Sequence, residues 1–73
     1  MSKPTAAELR EYAEENVALA AFRRAQADLY DHTAREAAAG ITTETPEYQR
    51  LNRAVVDAGK LLPEGLKHLR KDI

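Results

Sequence analysis

Few residues in this chain could do chemistry. His32 has Asp28 four positions before it and Glu36 four after. On a helix the three side chains would share one face. A carboxylate–imidazole–carboxylate row supplies ligand types for a divalent cation. A single helix face seldom surrounds an ion, however, and a solvated charged face has the same spacing. His68 lies among Lys67, Arg70 and Lys71, with Glu64 four positions earlier, and reads as a surface histidine. The di-metal bundle signature, a Glu with a His three positions later, is absent from the sequence. Ser2 is the only serine, so no Ser-His-Asp set can be built around a placed hydroxyl. There is no cysteine, which removes thiolate nucleophiles, thiolate metal sites and disulfides. Gly40, Gly59 and Gly65 are isolated and form no phosphate-cradling loop. The expectation is a non-enzymatic protein with no metal and no cofactor.

Binding is the remaining class. Ala6, Ala13, Ala20, Ala27 and Ala34 recur every seven residues, flanked by Leu9 and Val17. A sevenfold line of small residues lets a second helix approach closely, as in a coiled coil. It equally fits exposed positions filled by the best helix former. The partner-binding candidates are therefore Leu9, Ala13, Val17, Ala20, Ala27 and Ala34, and the expected partner is a second copy or another protein. A subordinate reading is nucleic-acid contact through Arg35, Arg50 and Arg53. Asp28, Asp31, Glu36 and Glu47 interleave with these arginines, and the net charge is −1 with a pI near 6.1. No basic field of the kind nucleic-acid binders carry is present, and no recognition motif is legible.

The elements that must position these residues follow from local signals. Thr5-Ala6-Ala7-Glu8 fits a capping box at a helix start. No Gly or Pro interrupts residues 6–39, and Gly40 with Ile41 supplies a helix stop. This predicts a helix over 6–39, roughly 50 Å long. Thr45 followed by Pro46 is an N-cap with proline at the first helical position, and predicts a second helix over 46–62. Pro63 lacks the N–H that would continue it. A kink or a short third helix over 63–72 is expected.

The two arms carry apolar stripes at spacings of three and four. Folding back at the Gly40–Thr45 turn gives facing residues with index sums of 84 or 85. These pairs are Ala37 with Tyr48, Thr33 with Leu51, Tyr30 with Val55 and Gln26 with Ala58. They continue as Phe22 with Leu62, Leu19 with Leu66, Asn16 with Leu69 and Tyr12 with Ile73. Glu11, Glu14 and Glu15 then fall alongside Lys67, Arg70 and Lys71. The fold class is all-α, one domain over 1–73, an antiparallel helical hairpin closed along its length and completed as a bundle by oligomerisation. The last step follows from size. With 73 residues, 14 of them alanine and one phenylalanine, two helices bury little apolar surface.

No apolar run follows Met1-Ser2-Lys3-Pro4, and the longest, Val17 to Phe22, is six residues. Neither a signal peptide nor a membrane span is expected, and a cytoplasmic setting is the default. The Ala- and Arg-leaning composition points to a bacterial or phage source. The expected role is a small accessory protein that acts through protein–protein contacts: an adaptor, an inhibitor or a subunit of a larger assembly.

Overall fold

A computed structural model describes residues 2–72 in backbone and residues 2–69 in side-chain detail. The described residues are all helical or connecting. Helix α1 spans Ala6–Ala38 and α2 spans Pro46–Lys60, followed by a 3-10 helix over Glu64–Asp72. The two α-helices pack together as a hairpin. The molecule is a rod of 55 × 18 × 16 Å, its length set by α1.

Both ends of α1 are built by local chemistry. Thr5 Oγ1 accepts from the Glu8 amide at 3.1 Å, and the Thr5 amide donates to Glu8 Oε1 at 3.1 Å, closing the capping box. These hydrogen bonds hold the Glu8 carboxyl below its ordinary value, the backbone bond contributing most. A depressed carboxyl contributes stability that is present above its unfolded pKa and is lost as pH falls through its folded value. First-turn helicity of α1 should therefore fade below about pH 4. The Glu8→Gln variant, whose amide can still accept from Thr5, should lose that pH dependence. NMR shifts of residues 5–9 across an acid titration would show both, and a pH-independent native first turn would contradict the cap's charged character.

At the other end Gly40 adopts φ +79°, the left-handed region that glycine enters without steric cost. Its amide donates to the Ala37 carbonyl at 3.0 Å, and the Ile41 amide donates to the Glu36 carbonyl at 2.9 Å. This is the Schellman pattern, and it satisfies carbonyls the helix would otherwise orphan. A Cβ at Gly40 would meet nothing within 4 Å, so the cost of Gly40→Ala is purely conformational. The loss should be about 1 kcal/mol, read as a lower melting temperature with the same fold. Unchanged stability would mean the turn does not depend on this backbone geometry.

Thr45 Oγ1 accepts from the Tyr48 amide at 3.1 Å, with Pro46 opening α2. The sequence stripe carries α2 to Leu62, but the helix ends at Lys60. Pro63 cannot donate to Gly59, so the last turn tightens and the Leu62 amide reaches the Gly59 carbonyl at 3.3 Å. The chain then restarts on i→i+3 bonds, the Leu66 amide donating to the Pro63 carbonyl at 2.8 Å. A break, rather than a kink in a continuing α-helix, is the outcome. The first helix likewise stops one residue short of the expected 39, with Ala39 as its cap.

The core is small. Phe22, Leu29, Val55 and Leu62 are buried, with Leu19, Ala25, Tyr48, Leu51, Ala58, Leu66 and Leu69 packed around them. Gln26 is buried too, and its Oε1 accepts from Arg23 Nη1 at 3.0 Å. The pairings of Phe22 with Leu62 and Leu19 with Leu66 bring these residues into one cluster, as the index sums require. The pairing of Tyr30 with Val55 is overturned. Val55 is fully buried, but Tyr30 is 52% exposed and Leu29 takes the inward place. The reason is rotational. Stepping four residues twice, from Phe22 to Gln26 to Tyr30, turns the stripe away from α2. Alternating three and four keeps the seam at Phe22, Gln26 and Leu29.

Every described residue before Glu15 is exposed. Asn16 does not enter the seam: its amide Nδ2 donates to the Tyr12 carbonyl at 2.8 Å on the exposed side. Lys67 takes Glu64, 3.4 Å away within its own segment, as its acidic partner. The expected Tyr12–Ile73 contact and the Arg70 and Lys71 side chains lie outside the described residues.

Candidate functional site

The face of α1 turned away from α2 is the most distinctive surface. Ala13, Ala20, Ala27 and Ala34 are all exposed on it. Leu9 is 54% and Val17 70% exposed. The steps Leu9, Ala13, Val17, Ala20, Arg24 and Ala27 are four, four, three, four and three residues, so they form one stripe of the helix. The structure thus brings all six partner-binding candidates into solvent on one helix. The flanking charges are mostly satisfied locally. Arg24 Nε lies 3.3 Å from Asp28 and Arg35 Nη2 3.0 Å from Asp31, both four residues apart. Exposed pairs of this type are worth only a few tenths of a kcal/mol.

On the side of α1 that faces the chain after α2, near the open end, runs a groove lined by Glu11, Glu14, Glu15, Ala18, Leu61 and Pro63. Leu61 is 75% exposed there. Its exposure follows from the Leu61-Leu62-Pro63 run: adjacent residues cannot both face inward, and Leu62 is the one buried. Glu11, Glu14 and Glu15 have no ion-pair partner among the described residues. Sequence reasoning missed Leu61, although its neighbour's place in the apolar stripe was the available signal.

The turn end holds a second cluster. His32 Nε2 lies 3.1 Å from Glu36 Oε1, and both side chains are largely shielded. Nε2 is buried without an aligned hydrogen bond, so the contact is electrostatic. Asp28 is turned to Arg24, so the Asp28–His32–Glu36 spacing does not become a three-residue cluster. Among the described residues no group of three His, Asp or Glu is placed to hold a metal ion. Glu47 accepts two hydrogen bonds from the Arg50 guanidinium, one of them at 3.0 Å from Nε. Those bonds hold the Glu47 carboxyl below its usual range, with a smaller contribution from His32.

Of the three nucleic-acid candidates, Arg35 and Arg50 thus each carry a carboxylate partner on their own helix. Arg53 has none among the described residues and lines a groove with Glu44, Tyr48, Gln49, Asn52 and Val56. The three grooves described on this surface hold 260, 250 and 300 Å³ and stand open to solvent. They fall at or below the lower edge of small-molecule sites, roughly 300 Å³, and lack the enclosure such sites use. No described helix is long and apolar enough to cross a membrane. The chain matches no family model and finds no significant match among curated proteins or among solved structures.

Proposed function

We propose that this chain is a non-enzymatic accessory protein that acts by presenting the outer face of α1 to another helix. The observation that supports this most directly is the exposure of Leu9 and Val17 on a stripe they share with Ala13, Ala20, Arg24 and Ala27. Leu9 and Val17 lie about two turns apart on one exposed stripe, so a single partner helix laid along α1 would cover both. Small neighbours between them let a partner backbone come close. A bacterial or phage adaptor, inhibitor or assembly subunit, working in the cytoplasm, is the setting that fits the cysteine-free, alanine-rich composition.

The test is a photo-crosslinking amino acid placed singly at Val17 and, as control, at Asp57 on α2, in the full chain expressed in cells. Crosslinks to protein, self or other, should form at Val17 and not at Asp57. Absence of any adduct at Val17 would remove the docking reading.

A further inference from the structure

We propose that the turn end of the hairpin is a second contact site, a groove that takes one arginine side chain from a partner protein. It lies apart from the outer face of α1 and does not rest on that reading. The groove forms where the end of α1, the turn and the start of α2 meet, and it holds 250 Å³. That is about eight waters at roughly 30 Å³ each. The space suits a single long side chain better than a metabolite.

Hydrogen-bonding type selects the occupant. Glu36 and Glu44 line the groove and, when ionised, can only accept. Thr33 lines it too, and its Oγ1 donates to the Leu29 carbonyl at 2.7 Å. With that proton engaged, Thr33 offers the groove lone pairs alone. An acceptor-rich lining calls for a ligand made of donors. A guanidinium carries five N–H donors and no acceptor.

Charge points the same way. The Glu36 side chain is only 12% exposed, and no arginine or lysine among the described residues pairs with it. Its close neighbour is His32 Nε2 at 3.1 Å, which makes no aligned hydrogen bond. A shielded carboxylate without a cation is costly, and an incoming cation relieves that cost. Glu44 is exposed and also lacks an ion-pair partner among the described residues. The nearby arginines are engaged elsewhere: Arg35 lies 3.0 Å from Asp31, and Arg50 holds Glu47. Neither lines the groove. Ala37 and Ile41 give an apolar wall for an aliphatic stem. The half-buried Tyr48 adds an aromatic ring, on which a planar guanidinium stacks better than a compact ammonium.

The test titrates the full chain with N-acetyl-arginine amide, its lysine analogue and its citrulline analogue, an isostere without the charge. Blocked arginine should shift the amide NMR signals of Ile41, Glu44 and Tyr48 saturably and leave those of Glu11, Glu14 and Glu15 in place. Glu36→Gln, which keeps the shape and removes the charge, should weaken binding about tenfold. Glu44→Gln, at an exposed turn position that the fold does not depend on, should weaken it about twofold. Circular dichroism would show that both variants remain helical. Binding by the citrulline or lysine analogue as tight as by arginine overturns the proposal. So do two variants that bind like the parent, shifts at Glu11, Glu14 and Glu15 as large as those in the groove, or no shifts at all. Free arginine binding more tightly than the blocked residue would make the ligand an amino acid rather than a partner's side chain, and overturns it as well. None of these outcomes bears on the Val17 crosslink, so the two readings stand or fall separately.

Discussion

Phe22→Ala is expected to leave little of the chain folded. Phe22 is fully buried, and the other buried apolar side chains among the described residues are Leu29, Val55 and Leu62. Removing a buried phenylalanine costs about 3–5 kcal/mol in lost transfer energy and residual cavity. A 73-residue domain holds roughly 4–11 kcal/mol of stability at best. Chains this small often fall below that range. Circular dichroism should show much of the helical signal lost at ambient temperature, with a broad thermal transition. A cooperative transition close to that of the parent would mean that the hairpin seam is not what holds the fold.

The second large effect belongs to Leu62→Ala. Leu62 is buried just after α2 ends, and it links the core to the 3-10 segment through Leu66 and Leu69. The loss should be about 2–5 kcal/mol by the same cavity argument. Its distribution should differ, however. Between Lys60 and Glu64 the chain makes few backbone bonds, and Pro63 interrupts the ladder. The segment after Pro63 therefore depends on side-chain packing for its position. Hydrogen exchange should show residues 64–69 losing protection before the middle of α1 does. Equal loss across α1 and the C-terminal segment would show one cooperative unit and contradict the linkage drawn here.

Helix ends were legible in the sequence because they are local. Thr5 with Glu8, Gly40 with Ile41, Thr45 with Pro46 and the break at Pro63 each act through atoms a few residues apart, and each signal met its hydrogen bonds in the structure. The pairing of arms was legible for Phe22 with Leu62 and for Leu19 with Leu66. A hairpin with a short turn leaves one register free of conflict. Tyr30 misled because its position depends on accumulated helical rotation, where one step of four in place of three moves a side chain by 100°. Leu29, the residue actually inward, is next to it and equally apolar by type.

The candidate site divides the same way. That Ala13, Ala20, Ala27 and Ala34 share a line with Val17 follows from spacing alone. That the line faces solvent and not α2 does not, since one helix can bury any of its faces until a neighbour is placed. Likewise the His32 row existed as spacing. Asp28 turned to Arg24 instead, and Glu36 was drawn to a shielded imidazole, because packing against α2 decides which side chains keep water.

By itself, then, the sequence determined where the helices start, stop and break, and which residue types the chain holds. Those depend on backbone dihedrals, caps and residue inventory. Only the tertiary structure decided which residues are inside, and that Leu61 and Val17 are left outside. Burial is a property of two surfaces meeting, and each surface carries only half of that information.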